Sequence, residues 1–337
     1  MTETKINQGE VSRRELLVGA ATIAFAANAV QAQAPASRRL LLGGYAGLPG
    51  QPFPGPGQQI NSESDDPDLL AQECKRLGYR AAYCPPSKPG DTARFKTIRD
   101  AFAKVDIVIA EVGAWRNLMT PDLAARKANL DYVTGQMAVA DEVGARCCVD
   151  ITGSFDAATL SGPHPKNMSQ EFIDGTVENC RKIIDAVKPK RSKFAIEMKG
   201  CNFPDDADAY LKLIKAVDRD ALGVHIDMCN IIDSPKLYYD NTALIKDTFA
   251  KLGKWVRSCH AKDLIWVPQV NVNFTETVPG RGGIATAKIP GVDYRTYIQE
   301  VVKLGSPLML EHLASAEEYK EGADYIRKVA VEIGVDV

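Results

Sequence analysis

The 337-residue sequence has only four histidines, and its eight cysteines (74, 84, 147, 148, 180, 201, 229 and 259) form no CxxC or zinc-ribbon pattern. It has no excess of one charge either. The 41 Lys and Arg stand against 43 Asp and Glu, a net −2 that leaves no electrostatic footprint for nucleic acid or an anionic membrane surface. No Walker A loop, GxSxG elbow, HExxH helix or RNA-binding signature occurs. Disordered, collagen-like and disulfide-knot classes are excluded by composition, since 45% of residues are hydrophobic and 25% charged. What is left is a globular chain with ample material for a buried core, and the reading it favours is a soluble single-domain enzyme.

The first 32 residues read as an export signal outside the fold. Arg13-Arg14 precedes an uncharged, Ala-rich stretch, and Val30-Gln31-Ala32 puts small residues where a signal peptidase cuts. This resembles a twin-arginine signal, which implies the Tat export machinery as a partner and a periplasmic location. Leu16 to Val30 is shorter than the roughly 20 residues needed to span a bilayer, so no stable membrane insertion is expected after cleavage. Export would ordinarily suggest disulfides. Cys84, Cys147, Cys148, Cys229 and Cys259 nevertheless lie inside apolar strand-like runs, where they read as small buried hydrophobes.

From residue 33 to 337, apolar β-branched runs alternate with amphipathic stretches of helical period. The expected strands are 39–45, 79–84, 106–112, 145–151, 193–198, 222–227, 255–260 and 307–312. The expected helices are 66–77, 92–104, 121–143, 169–187, 205–217, 242–252, 293–304 and 315–333. Thr92, Thr120, Ser169, Asp205 and Ser315 are the expected caps, and Gly78, Gly144, Gly253 and Gly305 the expected stops. Strict βα alternation without a linker predicts an α/β fold, a single (β/α)8 TIM barrel. A doubly wound sheet would want GxGxxG after the first strand; Gly43-Gly44-Tyr45-Ala46-Gly47 lacks that spacing and runs into a Pro-rich loop, Pro49 to Gly57.

In such a barrel the chemistry is built at the C-terminal strand ends. Four consecutive strands end in Ala-Ile-Glu197, Val-His-Ile-Asp227, Arg-Ser-Cys-His260 and Leu-Met-Leu-Glu311. Carboxylates ending buried strands are costly unless compensated. Three of them with one imidazole and no nearby Arg suit a divalent cation: Mn2+, Mg2+ or Co2+, with Zn2+ also compatible.

On these stretches, with His260-Ala-Lys262-Asp263 and Pro279-Gly-Arg-Gly-Gly-Ile284, the sequence resembles the xylose-isomerase-like barrels. That sugar isomerase/epimerase group includes ketose 3-epimerases, hydroxypyruvate isomerases and inosose dehydratases. The resemblance implies that Glu197, Asp227, His260 and Glu311 hold one metal ion, and that Glu197 and Glu311 act as the acid/base pair. The chemistry is proton removal next to a ketone, giving an enediolate whose charge a chelated cation stabilises. A second carboxylate on the opposite face returns the proton and inverts the centre.

Lys199 and Lys262 follow Glu197 and His260 by two residues, so each shares its neighbour's face and could meet substrate. Glu111, Asp150 and Trp115 could line the substrate side, Arg281 could meet a hydroxyl or an anion, and His225 could layer below the metal. His312 is expected to point away from Glu311, and His164 to lie on the surface. Where family members usually carry Asp-x-x-His, this chain has Asp227-Met-Cys-Asn230; an amide can bind a hydroxyl but cannot shuttle protons. With so few histidines and no basic surface, a trinuclear-zinc endonuclease is disfavoured.

The expected partner is therefore a non-phosphorylated sugar or keto-sugar, with no nucleic acid; a homo-oligomer is compatible. Export and the missing phosphate loop both favour the free sugar. Two alternatives share the scaffold. One is a lyase or dehydratase acting on a keto-sugar or 3-keto-glycoside through the same metal site, and the other is a non-catalytic exported sugar-binding barrel.

Overall fold

A computed structural model describes residues 39–47 and 66–337. The expected signal at 1–32 and the Pro-rich loop at 49–57 lie outside the described residues. Eight parallel strands close a barrel: β1 (Leu41–Gly43), β2 (Ala81–Tyr83), β3 (Val108–Gly113), β4 (Cys147–Asp150), β5 (Lys193–Glu197), β6 (Leu222–Asp227), β7 (Val256–Ala261) and β12 (Pro307–Leu310). β1 pairs with both β2 and β12, which completes the ring and confirms the expected (β/α)8 fold.

The helices outside the barrel are α1 (Pro67–Arg76), α2 (Thr92–Lys104), α3 (Leu123–Val143), α4 (Gln170–Val187), α5 (Ala207–Val217), α8 (Asn241–Leu252), α9 (Tyr294–Leu304) and α10 (Ala316–Glu332). The short helices α6 (Met228–Ile231) and α7 (Pro235–Tyr239) follow β6. Caps differ from the sequence reading at three starts. Asp91, Asp122 and Asp206 accept the free N–H groups of α2, α3 and α5, in place of Thr92, Thr120 and Asp205. In each case a carboxylate sits one or two residues from the expected cap and reaches the second or third N–H directly. Ser169 and Ser315 cap α4 and α10 as expected. Gly144 and Gly305 end α3 and α9 in the left-handed region that glycine tolerates best, whereas Gly253 keeps helical angles.

One region was not legible. Between β7 and α9, read as loop, the chain forms a four-stranded sheet of β8 (Asp263–Trp266), β9 (Phe274–Thr277), β10 (Gly283–Ile284) and β11 (Ile289–Pro290). These strands are two to four residues long and carry mixed polarity, so no apolar run announces them. The sheet is pinned by Asp263. Its Oδ1 accepts from the backbone N–H groups of Leu264 and Val292, each at 2.9 Å, and its Oδ2 from Gly280 at 2.9 Å and Gly282 at 3.1 Å. A Cβ at Gly282 or Gly291 would lie 2.0 Å from that carboxylate, so both positions require glycine.

All eight cysteines are free. Cys147, Cys148, Cys229 and Cys259 are buried as expected, and Cys84 is half-buried. Among the described residues no helix is long and apolar enough to cross a membrane.

Candidate metal centre

Parallel register builds the site in layers. Glu197 pairs with His225 and Asp227 with His260, so β5, β6 and β7 deliver their polar residues to adjacent levels of the barrel interior. Backbone straps hold these strand ends in place. Tyr297 Oη donates to the His260 carbonyl at 2.8 Å, and Tyr294 Oη to that of Lys262 at 2.7 Å, one turn apart on α9. Tyr210 of α5 accepts from Ile196 N at 3.0 Å beside Glu197.

The structure brings Glu197, Asp227, His260 and Glu311 together, with one ligand atom of each within 4.8 Å of the others. His260 Nδ1 is 2.9 Å from Glu197 Oε1, 3.0 Å from Glu311 Oε2 and 4.0 Å from Asp227 Oδ2. Asp227 Oδ1 accepts from Cys229 N at 3.0 Å, which starts α6. Its Oδ2 is buried with no hydrogen bond; Lys262 Nζ stands 2.7 Å away as an ion pair.

Lys262, expected at the substrate, is instead fully buried among acids. Its ammonium also meets Glu311 Oε2 at 2.9 Å and Glu276 Oε1 at 3.1 Å. The buried side chain compensates its charge with these carboxylates. Glu276, on β9, and His312 were missed as site residues. His312 does not point away from Glu311. A left-handed backbone (φ +58°) turns its ring back, so Nε2 lies 3.5 Å from Glu311 Oε1 and Nδ1 lies 2.9 Å from Glu276 Oε2. No sequence signal marks a left-handed non-glycine residue, and Glu276 depends on strands that have no periodic signature.

Burial alone would raise every carboxyl here. At Glu197 the Lys199 charge, 3.4 Å away, and the His260 hydrogen bond outweigh it and hold the group below the ordinary carboxylate range. At Glu311 the charges of His260 and Lys262 do so more strongly. Burial would lower Lys262 and His260, but the surrounding carboxylates push both well above their ordinary values. Glu276 is held at about 2 against its burial, chiefly by His312 and Lys262. Five carboxyl groups (Glu111, Glu197, Asp227, Glu276 and Glu311) thus face two ammonium groups (Lys199 and Lys262). This acid excess fits a divalent cation held by Glu197, Asp227, His260 and Glu311.

The other expected residues divide. Glu197, Glu311, Lys199, Trp115, Glu111 and His312 line one deep cavity at the mouth of the barrel. Trp115 adopts φ +23° and leans towards His260, ring centroids 6.2 Å apart; a Cβ at Gly113 would lie 2.4 Å from its indole nitrogen. Glu111 touches the cavity, but both its oxygens are taken: Oε1 by Ser258 and by His225 at 3.1 Å, and Oε2 by His260 at 3.2 Å. It is therefore not free for substrate. Burial would raise its carboxyl, and the two imidazoles outweigh that and hold it at about 2.

Arg281 is not at the site, because its exposed guanidinium bonds Glu321 and Glu318 on α10. Asn230 does not line the cavity; its half-buried side chain keeps a buried Nδ2 without a partner, beside the carbonyl that accepts from Gly200. His225 does lie below, as expected, fully buried against Glu111. His164 is half-buried against Phe155, not fully at the surface.

Asp150 does not reach the cavity. Burial pushes its carboxyl up to about 8, against the pull of backbone N–H bonds from Arg116 and Ile151. A carboxyl raised in the folded state stabilises through its bound proton, fully below about pH 4, and loses that contribution as pH rises to about 8. Wild-type stability is therefore expected to fall relative to Asp150→Asn across that window, and then run parallel. Urea denaturation at several pH values checks this, and parallel curves from pH 4 onward would contradict it.

A family profile described as xylose isomerase-like TIM barrel matches residues 71–329. No curated protein sequence matches the chain. Among solved structures it resembles D-psicose 3-epimerase with D-tagatose from Clostridium cellulolyticum H10 (14% identity, 88% of this chain and 99% of that one, TM-score 0.57). It also resembles 3-keto-D-glucoside 4-epimerase from E. coli (11%, 86% and 100%, TM-score 0.57). A third is a xylose isomerase-like TIM barrel protein from Mycobacterium smegmatis in complex with magnesium (17%, 80% and 90%, TM-score 0.54). At these identities the likeness is one of fold.

Proposed function

We propose, from the premise that this chain belongs to the xylose isomerase-like TIM barrel family, that it is a metal-dependent isomerase or epimerase of a non-phosphorylated sugar or keto-sugar. The observation that carries this reading is the division of labour within the four-residue cluster. Glu197 and Glu311 face the cavity, while Asp227 and His260 are fully buried behind them. Two carboxylates open to substrate at one centre are what proton removal and return on a carbon next to a carbonyl require.

Glu197, Asp227, His260 and Glu311 would hold the cation. When bound, it would polarise the substrate carbonyl and hydroxyl oxygens and stabilise the negative charge that develops on them. One of Glu197 and Glu311 takes the proton and the other returns it; a single carboxylate doing both would interconvert aldose and ketose. Lys199, beside Glu197 and open to the cavity, keeps that carboxylate ionised and can donate to a substrate oxygen. Trp115 offers an apolar face to the sugar ring and shields the site from water.

The cavity holds about 1220 Å3, more than the ~300–1,000 Å3 of ordinary small-molecule sites, so size does not confine the substrate to a monosaccharide. A 3-keto-glycoside is therefore within reach, in keeping with the keto-glucoside epimerase that shares the fold. Export by the Arg13-Arg14 signal to the periplasm belongs to the same proposal.

The exported protein is expected to begin at Gln33 on N-terminal sequencing, to carry about one divalent ion per chain by elemental analysis, and to exchange solvent deuterium into a keto-sugar. Loss of the ion in Glu311→Ala would support the site. Ion-free protein that still turns over sugar would sink the metal-dependent reading, and a product lacking water or its glycosyl group would identify a lyase instead.

A further inference from the structure

We propose that Glu111 is a positioning residue that sets the tautomer of His260 from beneath, so that Nδ1 is the nitrogen offered to the cation. The inference rests on the metal-dependent reading above and deepens it. Glu111 is the fourth residue of β3, two short of the strand's end, which places it one layer below the mouth. Its neighbours come from two other strands, Ser258 and His260 from β7 and His225 from β6, and none of the four is more than 1% exposed. Ser258 and His260 share one face of β7, so a single carboxylate spans two successive inward residues.

The donors can be assigned by elimination. A buried carboxylate must be met by donors on both oxygens. Ser258 Oγ supplies one to Oε1 and His225 Nε2 a second. The remaining oxygen, Oε2, faces only His260 Nε2, at 3.2 Å. If Nε2 keeps its proton, the proton that a cation displaces is the one on Nδ1, which leaves the lone pair on the nitrogen facing Glu197, Glu311 and Asp227. A carboxylate behind a metal-bound histidine fixes both ring orientation and basicity in this way.

The same geometry creates a choice. Glu111, His225 and His260 also bring ligand atoms within 4.8 Å, and could be read as a second metal cluster. His260 belongs to both clusters. A cation below would take Nε2 and put the proton on Nδ1, turning an N–H towards the upper carboxylates and removing the imidazole from their site. The two clusters are therefore mutually exclusive at one neutral histidine. Ser258 and His225 donating to one Glu111 oxygen favour a proton on His260 Nε2 over a cation there.

The test uses the full protein with 15N-labelled histidine, which gives only four ring systems to assign. Zn2+-loaded wild type should show His260 ligated through Nδ1 with a retained Nε2–H. Co2+ affinity, measured by competition with a chelator, should fall about 10–100-fold in Glu111→Gln, whose amide can donate to Nε2 and so permit the wrong tautomer. Ser258→Ala, which keeps the carboxylate, should fall less, and it serves if the Gln variant does not fold. Equal affinity in wild type and Glu111→Gln, or ligation through Nε2, overturns this inference and leaves the metal reading intact. Two ions per chain overturn it by making Glu111 a ligand. No ion in the wild type overturns the function reading, and this inference with it.

Discussion

Glu197→Gln and Glu311→Gln are each expected to lower kcat for the sugar reaction by about 10²–10⁴-fold, the usual range for removing a positioned general acid or base. The two amides keep the volume of the carboxylates, so the barrel end should stay packed. They lose the ability to accept a proton from carbon and one negative charge towards the cation, so both variants are assayed at saturating divalent metal. Glu197 is held ionised by Lys199 and His260, and Glu311 by His260 and Lys262, so both enter the reaction as carboxylates. In an epimerase they face opposite sides of the reacting carbon. Each variant should then retain solvent deuterium exchange into one epimer and lose it for the other, while net turnover collapses in both. Mass spectrometry of the recovered sugars reads this directly. Retention of full turnover in either variant would remove that residue from the proton transfer, and symmetric exchange loss would favour one shared carboxylate and an isomerase.

The second large effect concerns a residue with no place in the chemistry. Asp263→Ala is expected to destabilise the protein by on the order of 4 kcal/mol, because it strands four backbone N–H groups, of Leu264, Gly280, Gly282 and Val292, that converge on one buried carboxylate. Gly282 and Gly291 approach the carboxylate so closely that a Cβ at either would lie 2.0 Å from Oδ1. Asp263→Asn should be costly too, since its amide nitrogen would face two N–H donors in place of an acceptor oxygen. The loss should spread to the site. Asp263 anchors the end of β8 that pairs with β9, and β9 carries Glu276, which contacts Lys262 and His312. Urea denaturation measures the first effect, and an unchanged midpoint would contradict the pinning role. Hydrogen exchange across 263–292 measures the second.

The barrel was legible because its signals are local. Apolar runs of strand length alternate with capped helices, and each unit announces itself within some thirty residues. The four strand-end residues were legible for the same reason: Glu197, Asp227 and His260 sit at or near the ends of apolar strands and Glu311 just beyond one, and in a parallel barrel those ends meet by topology. Substrate-side assignments fared unevenly. Lys199 and Trp115 do face the cavity, whereas Arg281 pairs with α10 and Lys262 turns inward. Period-2 reasoning fixes the face a strand residue uses, but not which partner a long flexible cation will reach.

The sequence by itself determined the alternation of elements and the ring of carboxylates and imidazole at the strand ends. Those follow from short-range periodicity and composition. Only the tertiary structure decided which of the acids are free. It closed Glu111 off with Ser258, His225 and His260, drew Glu276 in from an unannounced hairpin, and turned His312 back through a left-handed backbone. The contacts that close off Glu111 join residues 114 to 149 positions apart, and those that place Glu276 join residues 14 and 36 apart across an irregular segment, so neither leaves a trace in local periodicity.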